Sequence, residues 1–410
     1  MTDPEGPGSA PPPVADDDPG RWGMLLLVSV AMLLSLSAWM TATAVGPDLQ
    51  ARWSLTTGQV GLLTTVVQLG FVVGTAVAAV LNLADVVPAR GLFSASAALA
   101  ALANALLLLV PGYGSALAVR FATGFFLAGV YPPGMKMVST WFRSARGLAI
   151  GTVVGALTVG KATPYLLKSI GGTSLATVVG GASIAGLVAA TAVAVAYRGG
   201  PFPFPSRPFA WSRVGRILRH RETMLATGGY LGHMWELYAM WTWAPTFLLV
   251  AAAGRVSTPV VDLVAFGTIA AGGLGCLWGG WAADRATRPR VVNFAMALSG
   301  ACCLLIGLLL EAPFFVTALL AWIWGFFVVA DSAQFSAMVT EVAPPDSVGT
   351  ALMLQTSLGF LLTMVTIQAI PVAVGVVGWS WAFAILALGP AAGILSIRRL
   401  EAPHTPSELP

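Results

Sequence analysis

Four ionisable side chains stand inside long apolar stretches of the sequence: Arg120, Lys161, Glu236 and Asp331. Every other charged residue reads as part of a loop or tail, apart from Lys168 near a segment end. Burying such a group in hydrocarbon costs several kcal/mol, so it faces a cavity or a partner and marks a place where work is done. Around Glu236 the sequence GGYLGHMWELYAMWTW sets Tyr230, His233, Glu236 and Met240 on one helical face. Desolvation disfavours the charged form of a carboxyl placed this deep. Glu236 therefore suits a proton carrier, and His233, one turn away, can share the proton. The plainer alternative is a packing hydrogen bond between the two. Around Asp331, the stretch WIWGFFVVADSAQFSAM aligns Trp324, Asp331, Gln334 and Met338 in the same way. Asp331 reads either as a second proton site or gate, or as a partner for loop arginines.

Lys161 shares one side of its segment with Pro164, Tyr165 and Lys168. Lys168 is close enough to the segment end to snorkel outward; Lys161 is not. Two cations in the first half of the chain and two anions in the second are complementary. They can form a lock between halves, or Arg120 and Lys161 can hold an anionic ligand, Arg being suited to bidentate carboxylate binding. Most tryptophans read as packing or belt residues. Trp39 and Trp324 can also stack on a flat organic molecule. Gln68, Gln355 and Gln368 offer polar contacts or interhelical hydrogen bonds. The candidate ligand-lining residues are thus Lys161, Arg120, Tyr165, Trp324, Gln334, Tyr230, Trp39, Gln68 and Gln355. The candidate proton-handling set is Glu236, His233, Asp331 and Arg120.

The elements that position these residues follow from composition. The 410-residue chain is 57% hydrophobic and 9% charged, against about 25% charged in a soluble domain. Its apolar runs have the length of helices that cross about 30 Å of hydrocarbon. The predicted fold is an all-α membrane protein with twelve spans, near 22–46, 57–82, 91–111, 115–138, 147–169, 174–197, 224–250, 258–281, 291–310, 313–338, 348–371 and 377–397. They group into a disordered acidic tail (1–20), a six-helix bundle (21–197), a Pro-rich then basic linker (198–223), a second six-helix bundle (224–397) and a tail (398–410). Cys276, Cys302 and Cys303 lie in apolar runs and read as small hydrophobes, not as metal ligands or disulfides. The net charge of +4 sits beside spans and does not imply nucleic acid. Sixteen Lys and Arg fall on one side of the membrane and three on the other. By the positive-inside rule both termini are cytoplasmic, in a plasma (inner) membrane protein.

The halves repeat. Asp85 and Asp284, Met137 and Met338, and Gly147 and Gly349 are separated by 199, 201 and 202 residues. Such internal repeats are a recurrent transporter plan with a site near the midplane.

At these loops the chain resembles the major facilitator superfamily. The family's loop motif after span 2 is kept in part as Leu83, Ala84, Asp85 and Arg90, with Leu81 and Pro88 where glycines are expected. Its second copy is kept as Gly280, Ala283, Asp284, Arg285 and Arg288. The span-4 motif appears as Arg120 and Gly124, and the following loop as Trp141, Phe142, Arg146, Gly147, Ala149 and Gly151. The resemblance implies a monomeric secondary carrier of a small solute working by alternating access, without a cofactor, and not an enzyme. It implies proton handling at Arg120 and gating at Asp85, Arg90, Asp284, Arg285 and Arg288. Signatures of nitrate and organophosphate carriers are missing. The drug-antiporter motif of span 5 is met only in part, by Gly151, Gly160 and Pro164. His233, Met234 and Met240 partly resemble a copper-importing pattern, but span 8 has neither His nor Met. Proton-coupled import of an organic anion is the expectation, with proton-driven efflux of a drug or metabolite as the alternative and copper import as a third.

Overall fold

A computed structural model describes residues 18–143, 145–171, 174–202 and 210–401. The extreme tails and the proline-rich part of the linker lie outside the described residues, as do the side chains of Asp85 and Arg146. The described residues form helices and turns, with no strand among them. The first bundle contains α1 (Gly20–Leu36), α2 (Thr57–Val80), α3 (Ala89–Leu108), α4 (Tyr113–Ser139), α5 (Gly147–Ile170) and α6 (Leu175–Ala196). The second contains α7 (Arg221–Ala252), α8 (Thr258–Arg285), α9 (Arg288–Leu309), α10 (Phe314–Val342), α11 (Val348–Val377) and α12 (Trp379–Glu401). Ten of the twelve are long and apolar enough to cross a membrane. The exceptions are α1, a 17-residue apolar helix, and the 32-residue α7, whose His, Glu and glycines dilute its hydropathy. The helices alternate in direction, so the start of α1, the end of α12 and the described linker residues share one end, the basic end. There the linker helix Trp211–Arg219 is tied to the loop before α11 by Arg216, 3.0 Å from Asp346.

Local chemistry sets several helix limits. Thr56 and Gln59 cap α2 reciprocally: Thr56 Oγ1 accepts from Gln59 N at 3.3 Å, and Gln59 Oε1 accepts from Thr56 N at 2.8 Å. Asn82 takes the left-handed conformation (φ 52°) at the turn into the first loop motif. Asn tolerates that region better than most residues do. Helix α4 breaks between Leu127 and Tyr131, and α10 breaks at Asp331. Helix α1 gives way to a turn at residues 37–40.

The repeat seen in sequence recurs as packing. In the first bundle the α2–α4 contact rests on two glycines: Gly124 lies against the Val67 carbonyl and Gly74 against that of Phe125. In the second, α8–α10 uses Gly325 against Thr268 and Gly275 against Phe326, each 201 residues later. Small residues let backbones approach closely where lipid gives no hydrophobic drive. The halves meet through α5 against α8 and α2 against α11. Gly155 and Gly273 face one another at the first crossing, where a Cβ on either would stand 3.0 Å from the other's carbonyl oxygen.

Gly325→Val should therefore destabilise the protein by about 1–3 kcal/mol, the usual cost of overpacking. Gly180→Val, at a position with open space around it, should not. Detergent-solubilised melting curves of both variants check this; equal melting would remove the α8–α10 glycine contact as a stability determinant.

Candidate functional site

A cavity lies between the halves. Its roof is aromatic and drawn from both: Trp39 and Phe71 from the first, Tyr238, Trp241 and Phe360 from the second. The Phe71 and Phe360 rings are 4.7 Å apart and those of Trp39 and Tyr238 5.9 Å. Towards the basic end the walls pass through Tyr131, Tyr230 and Thr356 to Ser336, which is exposed at the rim. Beyond the roof the opposite end is shut. Gln368 of α11 lies 3.1 Å from Thr65 Oγ1 of α2, and Trp243 Nε1 donates to the Ile367 carbonyl at 2.8 Å. Lys168 of α5 is 3.5 Å from Asp262 of α8, both side chains about one-twentieth exposed.

Lys161 is the cavity's charge. Its ammonium donates to Tyr238 Oη at 2.5 Å. It lies over the rings of Trp39, Tyr238 and Trp241, with centroids at 4.5, 4.8 and 5.0 Å. The contact crosses the halves, since Trp39 and Lys161 belong to the first and Tyr238 and Trp241 to the second. The indole N–H groups of Trp39 and Trp241 are buried without an acceptor. Among the described lining residues there is no carboxylate. The cavity therefore offers one cation and several donors, with nothing anionic.

The other candidates lie elsewhere. Arg120 is fully buried inside the first bundle. Its Nη1 donates to the Ala38 carbonyl at 3.0 Å and to Asn104 Oδ1 at 2.9 Å, and its Nη2 to the Trp39 carbonyl at 2.5 Å. Asn104 in turn donates to Ser183 Oγ at 3.0 Å. Arg120 thus supplies donors to the carbonyls freed where α1 breaks, and fixes the backbone that carries Trp39. It does not line the cavity.

Glu236, midway along α7, points into the second bundle. Its carboxyl accepts from Trp324 Nε1 at 2.5 Å, Ser299 Oγ at 2.9 Å and Cys303 Sγ at 3.2 Å. His233 Nδ1 is 2.9 Å from Asp331 Oδ1, close enough for an ion pair but not aligned as a hydrogen bond, and its Nε2 is buried without a partner. The face of α7 that meets the cavity is Tyr230, Met234, Leu237, Tyr238 and Trp241. The sequence face that joined Tyr230 to Glu236 is thus divided: Tyr230 looks into the cavity while Glu236 is turned into the bundle. Trp324 spends its N–H on Glu236 and its ring packs edge-on against Phe383 at 5.2 Å, so it is not a stacking platform in the cavity. Gln334 accepts from Arg288 Nη1 at 2.8 Å near the basic end. Gln68 and Gln355 are fully buried, with neither amide atom partnered. Tyr165 is buried away from the lining with its hydroxyl unpartnered. Among the described residues no group of three or more His, Cys, Asp or Glu is placed to hold a metal ion.

At the gating loops, Arg288 Nε donates to Glu341 at 2.8 Å within the second half. Arg285 stacks over Trp281 of its own helix at 4.2 Å. Asp284 is exposed. Arg90 donates to the Ala194 carbonyl of α6. None of these bonds joins the two halves.

Two residues overturn their sequence placement. Lys168 does not snorkel, because Asp262 holds it inside; and Asp262 is a buried acid within α8, not a loop residue. The partners of Lys161 from the second half, Tyr238 and Trp241, carried a usable signal. Spacings of four, three, one and three from Tyr230 through Trp241 trace the α7 face that lies against the cavity.

Three comparisons bear on this geometry. A family model described as Major Facilitator Superfamily matches residues 27–361. No curated relative matches by sequence. Among solved structures, a nucleoside transporter, NupG, aligns with TM-score 0.70 at 13% identity, over 92% of this chain and 99% of that one. A bacterial homolog of the human lysosomal transporter Spinster, inward-facing and unoccupied, aligns with TM-score 0.67 at 16% identity, over 94% and 96%. At these identities the likeness is one of fold.

The Arg120 geometry sets a test. Arg120→Lys keeps the charge but loses the planar fork. It should lower the melting temperature while leaving ligand affinity of the folded fraction within about twofold, a difference of only about 0.4 kcal/mol. Weakened binding at unchanged melting temperature would put Arg120 in the ligand's path instead.

Proposed function

The chain belongs to the major facilitator superfamily of membrane transporters, and we propose that it carries a small organic anion by alternating access, coupled to protons. One observation carries the anion reading: the only charge found on the described cavity lining is the Lys161 ammonium, held by the Tyr238 hydroxyl oxygen and three aromatic faces with no carboxylate among the described lining residues. Cation–π contacts are worth about 0.5–2 kcal/mol each. Burying an ammonium costs several kcal/mol even after relaxation. Rings and one phenol offset part of that cost, and a carboxylate would offset far more. The aromatic roof favours an anion with a flat or apolar body. A cationic drug would meet a like charge at the Lys161 end of the cavity.

With the basic end taken as cytoplasmic, the open basic end and the shut opposite end make this an inward-facing arrangement. The Lys161–Tyr238 bond is then a tie between halves that an arriving anion breaks by competing for the ammonium. Occupancy of the site and freedom of the halves are linked by that exchange.

Protons enter this reading at Glu236. Its three neutral donors solvate a carboxylate, but no cation faces it, so taking up a proton removes a charge from an apolar bundle. His233 and Asp331, one turn nearer the basic end on α7 and at the α10 break, form an acid–base pair on the route to it. Tyr238, which holds Lys161, is two residues beyond Glu236 on the same helix. A proton at Glu236 can therefore shift α7 and bias the tie to Lys161 without entering the anion's cavity.

Two experiments test this. In a thermal-stabilisation panel of monocarboxylates, neutral amides and organic cations, monocarboxylates should raise the melting temperature of the wild type and not of Lys161→Met, because a ligand stabilises the state it binds. Stabilisation by cations, or an undiminished carboxylate effect in Lys161→Met, overturns the anion reading. In proteoliposomes, Glu236→Gln should lose accumulation driven by a pH gradient but keep counterflow exchange of the same carboxylate. Wild-type accumulation by that variant removes Glu236 as the proton site.

A further inference from the structure

Two helical turns beyond Lys161, towards the closed end, α5 carries a second ammonium. Lys168 is on the same side of the helix as Lys161, about 10 Å along the axis, with Tyr165 between them. Its partner, Asp262, comes from the other half of the molecule, and both side chains are nearly sealed from solvent, at 4% and 5% exposure. Two neighbouring polar atoms are left over in the closed state: the Tyr165 hydroxyl and the second Asp262 oxygen, both buried and without a hydrogen-bond partner. Asp48, on the short helix Gly46–Trp53 after α1, bears on Asp262 with a like charge, which opposes the pairing.

We propose that Lys168 and Tyr165 form a second carboxylate site on the path from the closed end to Lys161, occupied in this state by the Asp262 carboxylate of the opposite half. The residue that fills the site names the chemistry that suits it. When α5 and α8 part at that end, Asp262 leaves with α8. Lys168 and the Tyr165 hydroxyl, both on α5, then face the opening with a cation and a free donor. A carboxylate arriving from that side meets them first and passes two turns inward to Lys161. As it departs, Asp262 can return and close the end. Asp262 therefore acts as a tethered competitor of the transported anion, so closure requires that the outer station be empty. The inference rests on the reading of the ligand as an organic anion.

The test separates a carboxylate site from a simple gate by breaking the pair in two ways. Asp262→Asn and Lys168→Met both remove the ion pair, but only the first keeps the cation. With purified full-length protein and benzoate as the probe, Asp262→Asn should tighten binding about tenfold. Lys168→Met should leave it unchanged or weaker, and benzamide should distinguish neither. Equal shifts in benzoate affinity for the two variants would reduce the pair to a gate and overturn the proposal. Where either variant folds poorly, the exchange Lys168→Asp with Asp262→Lys retains the pair. It should keep the closed-end distance measured by spin labels yet raise the KM for benzoate entering from that side. An unchanged KM also overturns the proposal. Failure of the parent reading looks different: benzoate would then bind wild type and Lys161→Met alike, whatever happens at Lys168. No benzoate response in any variant overturns both.

Discussion

A buried ammonium without a buried anion is the constraint on which the rest of this structure turns. Lys161 is held by the Tyr238 hydroxyl and by three rings drawn from both halves. Cation–π contacts and one hydrogen bond are individually weak enough for an anionic ligand to exchange with them. A carboxylate from the protein in the same position would compete with an anionic ligand for Lys161. The sequence has buried carboxylates available, and the fold keeps them away: Glu236 and Asp331 are turned into the second bundle, and Asp262 is used at the closed end.

The polar groups sort into two kinds. Some hold their partners inside one bundle: the Arg120 Nη groups on the carbonyls of the α1 turn and on Asn104, and Glu236 on Trp324, Ser299 and Cys303. These contacts can persist while the bundles move as bodies. Those between bundles are few and exchangeable: Lys161 with Tyr238, Lys168 with Asp262, Gln368 with Thr65. On the alternating-access reading, rearrangement between states would break these few bonds and leave those within each bundle in place. The glycine-lined crossings of α2 with α4 and of α8 with α10 keep each bundle stiff enough for this division to hold.

Much of the architecture was legible in the sequence, because span length and hydropathy are fixed by bilayer thickness, and because the repeat offset near 200 survives in the packing at 201. Depth was legible too: a rise of about 1.5 Å per residue places Glu236 midway along α7. Direction was not. Helix α7 is apolar on all sides, so periodicity gives no unique inward face, and the choice between cavity and bundle interior is made by α9 and α10 supplying Ser299, Cys303 and Trp324. Asp262 was missed for a related reason. It lies four residues into α8, where a charge ordinarily reaches water, and only the approach of α5 encloses it. Arg120 stood out by its burial, yet its partners are main-chain carbonyls at a helix break, and residue type does not reveal those.

The halves share a backbone plan but not a chemistry, and the proposed coupling of anion to proton would use that asymmetry. The first bundle contributes the cations, Lys161 and Lys168, on one face of α5. The second contributes the acids, and α7 links them, with Glu236 facing the bundle and Tyr238 facing the cavity two residues apart. An anion and a proton bound at one point would merely neutralise each other. Bound on opposite sides of one helix, each changes the balance of forces on that helix separately. On the proposed reading the position of α7 would then depend on both, through the packing of one helix and without direct contact between the two ligands.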